Sequence, residues 1–170
     1  MGYDKQELLT NGIIEQLLQV FSDILVITSR PELYKGVRTA ADEYTECGPL
    51  AGIHAALKNS HSEYVYVVAC DMPEFSTDYV KVMMQKIIAN EPQACVTKGD
   101  GGKIEPFHAF YGKGLLPQME IDLKAGLTSP RKMLEKVNAL SIGNDIAPNI
   151  FFNVNTAADL EKWKEKNNAK

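Results

Sequence analysis

Short apolar runs alternate along this chain with segments whose apolar residues recur at helical spacing, and this alternation strongly constrains the fold. The clearest apolar run is EYVYVVA at 63–69, and the clearest helical segment is STDYVKVMMQKI, which Ser76 or Thr77 would cap. Strands that alternate with helices predict a mainly parallel sheet covered by helices on both faces. The sequence therefore predicts an α/β fold with three layers.

The same patterns predict the remaining elements. Helical spacing places five apolar residues on one face, namely Ile13, Ile14, Leu17, Leu18 and Phe21. Further strands are expected at 23–29, 36–40, 93–98, 106–112 and 150–155. Further helices are expected from Pro49, at about 113–125, at about 129–137, and from Thr156, where Asp159 would complete a capping box. The glycine-rich segment 98–103 predicts one antiparallel hairpin.

Composition excludes several classes of protein. The 170 residues carry 45% hydrophobic and 24% charged residues and a net charge of -4, which is typical of one globular domain. This mild charge argues against a basic surface for nucleic acid, and no apolar run reaches the length of a membrane span. Three cysteines without a CxxC pair favour a reduced, cytoplasmic setting. The three histidines are too scattered for a metal cluster, so packing or surface roles are expected.

Three predicted strand ends carry polar or glycine-rich segments, and ligands of such sheets bind beyond the carboxyl ends of the strands. In ACDMPEF, Asp71 follows the strand at 63–69. A carboxylate in this position suits Mg2+, which binds through one or two carboxylates and the oxygens of a substrate phosphate. The alternative is a carboxylate that only caps a turn.

The other two segments are GPLAG and NVNT. Gly48 allows a tight turn, Pro49 opens the helix, and Gly52 leaves bare peptide groups against which a flat ligand could lie. Asn153 and Asn155 lie two apart on the predicted strand, so their amides would leave the same face. Alternatively, neither segment contacts a ligand. GPLAG is then an ordinary helix start, and Asn155 only turns the chain into the last helix.

MGYDK, GPLAG, ACDMP and NVNT, in this order, resemble the molybdenum cofactor guanylyltransferases of the MobA family. The resemblance implies a Rossmann-like three-layer nucleotidyltransferase fold and a single nucleotidyltransferase domain over 1–170. In that family a strand and a Gly-Gly-x-Ser-x-Arg loop precede the Met-Gly segment. MGYDK then corresponds to the back half of a phosphate loop, and the first strand, central in the sheet, is missing. This implies a slot between two strands and a chain less stable than one extended upstream.

The resemblance also implies an activity and a set of site residues. The activity is transfer of GMP from GTP to the terminal phosphate of molybdenum-molybdopterin, with Mg2+ as cofactor. The implied catalytic residues are Lys5 and Asp71, with Asp71 as the metal ligand. The implied nucleotide site consists of Lys5, Asp42, Gly48, Pro49, Leu50, Ala51, Gly52 and Asp71. The implied acceptor site consists of Arg131, Asn153 and Asn155.

Alternatives remain open at this point. Arg131 is equally explained as a solvated charge on a helix surface. A related cytidylyltransferase or sugar-nucleotide transferase would keep the fold and change the substrates. A chain without the first strand could also be a truncated, non-catalytic nucleotide-binding remnant. For the guanylyltransferase reading, the expected partners are GTP, a molybdopterin-type cofactor, and molybdoenzymes or their chaperones, with no nucleic acid and no membrane.

Overall fold

A computed structural model of the chain describes residues 3–143 and 145–168, apart from the side chains of residues 3–6, 100, 167 and 168. The helices of this part are α1 (Tyr3–Leu17), α2 (Gly48–Asn59), α3 (Thr77–Asn90), α4 (Leu116–Lys124), α5 (Pro130–Leu134) and α6 (Ala157–Asn168). The strands are β1 (Leu25–Ile27), β2 (Arg38–Ala40), β3 (Tyr64–Val67), β4 (Ala94–Lys98), β5 (Ile104–Gly112) and β6 (Ala139–Gly143). None of the described helices is long and apolar enough to cross a membrane.

The strands form two sheets. β1 pairs in parallel with β2, and the larger sheet has the order β3-β5-β4-β6. In the larger sheet, β5 runs antiparallel to β3 and β4, whereas β6 runs parallel to β4, so β5 alone opposes the common direction. The predicted hairpin is confirmed between β4 and β5, where Gly101 has φ 72° and the Gly99 amide donates to the Lys103 carbonyl at 3.0 Å.

Two apolar clusters lie on opposite faces of the larger sheet. Ala109 and Tyr111 of β5 join the cluster built with α2, α4 and α5, whereas Phe110 between them joins the cluster built with α3. Neighbouring strand residues point to opposite faces, so this division shows that helices cover both faces. The three-layer α/β prediction is thereby confirmed.

Side-chain caps fix where two helices begin. The Ser76 hydroxyl accepts a hydrogen bond from the Tyr79 amide at 3.2 Å, which confirms the predicted cap of α3. At α6, the Thr156 amide donates to Asp159 Oδ2 at 2.8 Å, and the Asp159 amide donates to Thr156 Oγ1 at 3.1 Å. This reciprocal pair is the predicted capping box.

The structure corrects three predictions. The segment 150–155 is not a strand, because Pro148–Phe151 forms a 3-10 turn and no ladder follows it. β6 was not predicted, and its residues do not alternate clearly between buried and exposed positions. Leu18 is 56% exposed, since α1 ends at Leu17 and the chain turns away from the helical face there.

A cleft separates the two sheets. β1 pairs only with β2 and β3 pairs only with β5 among the described strands, so the free edges of β1 and β3 face the same space. This cleft has a volume of about 510 Å³ and is lined by residues of both strands.

His108 is a buried titratable group beside this cleft. It adopts φ 50°, is fully buried, and places Nδ1 2.9 Å from the Tyr66 hydroxyl. Burial lowers the pKa of His108 to about 4, and a hydrogen bond with the Ile150 backbone opposes only part of that shift. The hydroxyl of Tyr79 donates to the His108 carbonyl. Burial raises the pKa of both tyrosines, so neither of them titrates in acid.

We expect this histidine to destabilise the fold in acid. In the unfolded chain its pKa is about 6.5, so its contribution to stability is complete above that pH and is lost as the pH falls toward about 4. Over this window the free energy of unfolding should fall by roughly 3 kcal/mol on account of this one group. Urea titrations between pH 7 and 4 would measure the slope. His108→Gln should flatten it, and His61→Gln, at an exposed position, should not. Equal slopes in all three proteins would contradict the assignment.

Candidate functional site

Asp71 lies just beyond the carboxyl end of β3, as predicted. Its backbone carbonyl accepts a hydrogen bond from the Val154 amide at 2.7 Å, and the Met72 amide closes a turn on the Ala69 carbonyl at 3.0 Å. The residue is half-buried, and among the described residues its carboxylate makes no hydrogen bond or ion pair. A fixed backbone with an available carboxylate is suited to a ligand rather than to a turn cap.

The NVNT segment is held against Asp71. Val154 is fully buried, and its amide makes the bond to the Asp71 carbonyl, while Asn153 and Asn155 on either side of it are exposed. The predicted strand is absent here, but Asn153 and Asn155 are both exposed on either side of the buried Val154. What brings the two segments together is one long-range backbone hydrogen bond. Asn155 also leads into α6, where its amide donates to Asp159 Oδ2 at 3.2 Å.

GPLAG forms the first turn of α2. Gly48 has φ 64°, a conformation that side chains disfavour, and a Cβ there would lie 3.4 Å from the Thr128 Cβ. Leu50 and Ala51 are almost fully buried, so only their backbone can face a ligand. The Leu50 amide makes a hydrogen bond of 3.3 Å with the Thr128 carbonyl. The ligand-facing part of this segment is therefore backbone, Pro49 and the bare Gly52.

Asp42 lies in a pocket of about 500 Å³ formed by residues that follow the carboxyl ends of β1 and β2. A Cβ on Gly52 would lie 4.0 Å from Asp42 Oδ1, so the carboxylate and the glycine face each other. Burial raises the pKa of Asp42. A carboxylate that faces a glycine can accept hydrogen bonds from a flat ring that carries N–H donors.

The pocket also contains residues that the sequence analysis missed. Thr28 and Ser29 follow β1 at its carboxyl end and line the same pocket as Asp42. The rule that directed attention to Asp71 applies equally to these residues. The larger cleft is lined by Thr28, Gly52 and Cys70 together, so the carboxyl ends of β1 and β3 and the start of α2 meet around one opening.

Residues 3–140 of the chain match the family described as the MobA-like NTP transferase domain. The chain belongs to the MobA-like NTP transferase family. The matched range contains Asp42, GPLAG, Asp71 and Arg131, whereas Asn153 and Asn155 lie beyond it. The resemblance to the MobA family is thereby confirmed.

Individual MobA-like relatives cover nearly the whole chain. The molybdenum cofactor guanylyltransferase of Syntrophotalea carbinolica is 37% identical over 98% of this chain and 85% of that protein. The probable molybdenum cofactor guanylyltransferase of Peptoclostridium acidaminophilum is 35% identical over 97% and 83%. The crystal structure of molybdopterin-guanine dinucleotide biosynthesis protein A from Archaeoglobus fulgidus superposes with a TM-score of 0.80 at 22% identity, covering 95% of this chain and 86% of that one. The structural likeness supports the α/β nucleotidyltransferase fold.

Arg131 of this MobA-like chain is engaged within the fold. Its Nε donates to the Ile104 carbonyl at 2.6 Å, and its guanidinium lies 3.3 Å from a carboxylate oxygen of Glu105. Arg131 is therefore not a free charge on the helix surface. An incoming phosphate could still share the guanidinium, which has five N–H donors. Lys5 belongs to α1 by its backbone, but its side chain lies outside the described residues.

The oxygen donors at Asp71 suit a Mg2+ ion that is held partly by the protein and partly by the phosphates of a substrate. Within the described residues, no group of three or more His, Cys, Asp and Glu side chains could hold a metal ion by itself. Mg2+ keeps several waters and binds through one or two carboxylates together with substrate phosphates. The single available carboxylate of Asp71 matches that mode, and Asn153 and Asn155 are exposed on the segment whose Val154 amide bonds the Asp71 carbonyl.

Proposed function

We propose that the chain transfers GMP from GTP to the terminal phosphate of molybdenum-molybdopterin and so makes the guanine dinucleotide form of the cofactor. The observation that carries the proposal is that two cavities adjoin at Thr28, one lined by Asp42 and the other by the start of α2 and by Cys70, the neighbour of Asp71. Relatives named molybdenum cofactor guanylyltransferase, which match over almost the whole chain, supply the identity of the substrates.

The charge of the acceptor phosphate determines how the transfer reaction can proceed. A phosphate monoester has a second pKa near 6 and is largely dianionic at neutral pH, so its oxygen needs no general base. That oxygen forms a bond to the α-phosphorus of GTP, the bond from this phosphorus to the bridging oxygen breaks, and pyrophosphate leaves. The protein must therefore position two anions and neutralise their charge.

Each site residue has a role in this scheme. Asp42 would accept hydrogen bonds from the guanine N–H groups while the ring lies against Gly52. Asp71 would hold Mg2+, which when bound supplies Lewis-acid neutralisation of the phosphates. Lys5 would act on the β- and γ-phosphates as a point charge. Arg131, Asn153 and Asn155 would receive the acceptor phosphate and its pterin-side groups.

The expected setting of the reaction is the cytoplasm. The product would pass from this chain to a molybdoenzyme or to the chaperone of one. Both statements depend on the assignment of the substrates, so the experiment that tests that assignment also bears on them.

Two labels on GTP would test the proposal. With molybdenum-molybdopterin and Mg2+ present, label on the α-phosphate should move into the dinucleotide product, and label on the γ-phosphate should leave as pyrophosphate. Molybdopterin from which the terminal phosphate has been removed is the control acceptor and should give no product. Release of free GMP or GDP without transfer, or equal turnover with the dephosphorylated acceptor, would contradict the proposal.

A further inference from the structure

His108 lies in an irregular part of β5. The ladder with β4 is interrupted between Cys95 and Thr97, where residues 106–109 of β5 lie opposite Val96 alone. Within this bulge His108 has φ 50°, in the left-handed region, which is uncommon for residues other than glycine. Bulges are frequent next to active sites, where they redirect a side chain, and a strained backbone persists where surrounding contacts hold it. The contacts of His108 therefore indicate what the bulge does.

The imidazole of His108 connects β3 to the 3-10 turn at Pro148–Phe151. Its Nδ1 lies 2.9 Å from the Tyr66 hydroxyl. A hydrogen bond with the Ile150 backbone acts to raise the pKa of His108, as expected when a ring N–H donates to the Ile150 carbonyl. A neutral imidazole has one donor and one acceptor nitrogen, so Nδ1 accepts from the Tyr66 hydroxyl. The two contacts fix the orientation of the ring between the strand and the turn.

Aromatic packing brings the turn to this ring. The ring of Phe151 meets the rings of His108 and Tyr79 edge-on, with centroids 5.9 Å and 6.0 Å away, respectively. The Tyr79 hydroxyl donates to the His108 carbonyl at 2.9 Å, and Ile150 is 3% exposed in the apolar cluster that contains Tyr79. Apolar packing has no preferred direction. Among the described residues, the hydrogen bond with His108 is what gives the turn a defined orientation on the sheet.

The turn leads directly into the segment that contains Asn153 and Asn155. Phe151 ends the turn, and three residues later the Val154 amide bonds the Asp71 carbonyl at 2.7 Å. No described helix or strand lies between these two points. The segment is therefore placed by its two ends, which are the turn that His108 holds and the backbone of Asp71. A shift of the turn would move both asparagines relative to Asp71.

We propose that His108 is a positioning residue for the acceptor side of the site. Its imidazole holds the Pro148–Phe151 turn, and the turn holds Asn153 and Asn155 at the required place relative to Asp71. His108 is fully buried and does not itself contact a substrate. The inference rests on the proposed function for the identity of the acceptor. A misplacement of about 1 Å by a distant substitution can lower a rate about a hundredfold, so this role is measurable.

Two substitutions that differ by one methylene group test this role. His108→Asn tolerates the left-handed backbone, but its amide is too short to reach Ile150, whereas the amide of His108→Gln reaches further and keeps an N–H donor. In His108→Asn, KM for molybdenum-molybdopterin should rise at least about tenfold, while GTP affinity, measured by calorimetry without Mg2+, should change less than about twofold. His108→Gln should restore most of the acceptor KM. A general loss of stability would not separate the acceptor from GTP.

Hydrogen exchange of the Val154 amide reads the same role without any substrate. His108→Asn should speed this exchange at least about tenfold, because the turn no longer holds one end of the segment, and His108→Gln should restore the protection. Tyr111→Phe is the matched control. It removes a buried hydrogen bond of 2.6 Å, from the Tyr111 hydroxyl to the Pro106 carbonyl, on the other face of β5. It should lower the melting temperature and leave both Val154 exchange and the acceptor KM unchanged.

The outcomes separate this inference from the proposed function. If His108→Asn does not fold, Phe151→Leu removes the edge-on contact, leaves His108 in place and should show the same two changes. Unchanged acceptor KM and Val154 exchange in the variant that folds, or equal changes in Tyr111→Phe, would overturn the inference. Faster Val154 exchange in His108→Asn, with no GMP transfer by the unaltered chain, would support the positioning of the segment and contradict the proposed function alone.

Discussion

Asp71→Ala should lower the rate of GMP transfer at least about tenfold to a hundredfold, the range found when partners at metal sites are disturbed. The fold should survive, because the half-buried carboxylate makes no hydrogen bond or ion pair among the described residues. The carbonyl that accepts from the Val154 amide remains in the alanine variant. Pyrophosphate release at saturating GTP and Mg2+ measures the rate, and the melting temperature checks the fold.

Asp78→Ala is the matched control for this substitution. Asp78 lies seven residues further on, in the first turn of α3, with a side chain that is 89% exposed. Its loss should leave the transfer rate close to that of the unaltered chain. If Asp71→Ala also keeps near-normal activity in Mg2+, then Asp71 does not anchor the metal, and the catalytic assignment fails.

Elements with strong local signals were predictable from the sequence. The run that contains β3 is rich in β-branched and aromatic residues, and α3 combines a periodic apolar stripe with the Ser76 cap, so local preferences alone identify both. The β4–β5 hairpin was equally accessible, because its glycine-rich turn requires positive φ at Gly101. These elements are determined by residues that are close together in the sequence.

Elements whose stability depends on distant partners were not predictable. β6 exists because it pairs in parallel with β4 over Ala94–Lys98, which lies far away in sequence. The segment 150–155 shows the reverse case. Its β-prone residues find no strand edge in the fold, so Pro148–Phe151 turns instead and Val154 makes one isolated bond. Strand propensity shows only that a segment is able to pair. Whether it does pair depends on a partner strand elsewhere in the fold.

The candidate site likewise combines features that local sequence predicts with features that depend on contacts between distant segments. The positions of Asp71 and GPLAG followed from the rule that ligands lie beyond the carboxyl ends of strands. The contact of Val154 with the Asp71 carbonyl, and the proximity of Asp42 to Gly52, join segments that the sequence leaves apart. Thr28 was missed because the predicted strand ran through residue 29, whereas β1 ends at Ile27 and leaves Thr28 just beyond its carboxyl end.

GTP should bind at least about a hundredfold more tightly than CTP, since sites built to pair with a substrate's N–H groups reject analogues that lack them by large factors. The Watson–Crick edge of guanine presents two neighbouring N–H groups, which one carboxylate can accept together. Asp42 lines the pocket together with Thr28, and Gly52, which faces the Asp42 carboxylate, leaves room for a flat ring. Cytosine offers one amino group on a smaller ring and cannot make the paired contact. Calorimetry with both nucleotides in Mg2+ measures the ratio.

The variant Asp42→Asn separates reading of the base from general attraction to phosphate. It removes one of the two acceptors, and hydrogen bonds to charged groups contribute about 1.5 to 3 kcal/mol, so GTP affinity should fall roughly tenfold to a hundredfold while CTP affinity changes little. Glu43→Gln is the matched control, because Glu43 pairs with Lys58 at 2.6 Å outside the pocket. If GTP and CTP bind the unaltered chain equally, the cytidylyl alternative gains and Asp42 is not the guanine acceptor. If Glu43→Gln lowers GTP affinity as much as Asp42→Asn, the loss reflects surface charge and not recognition of the base.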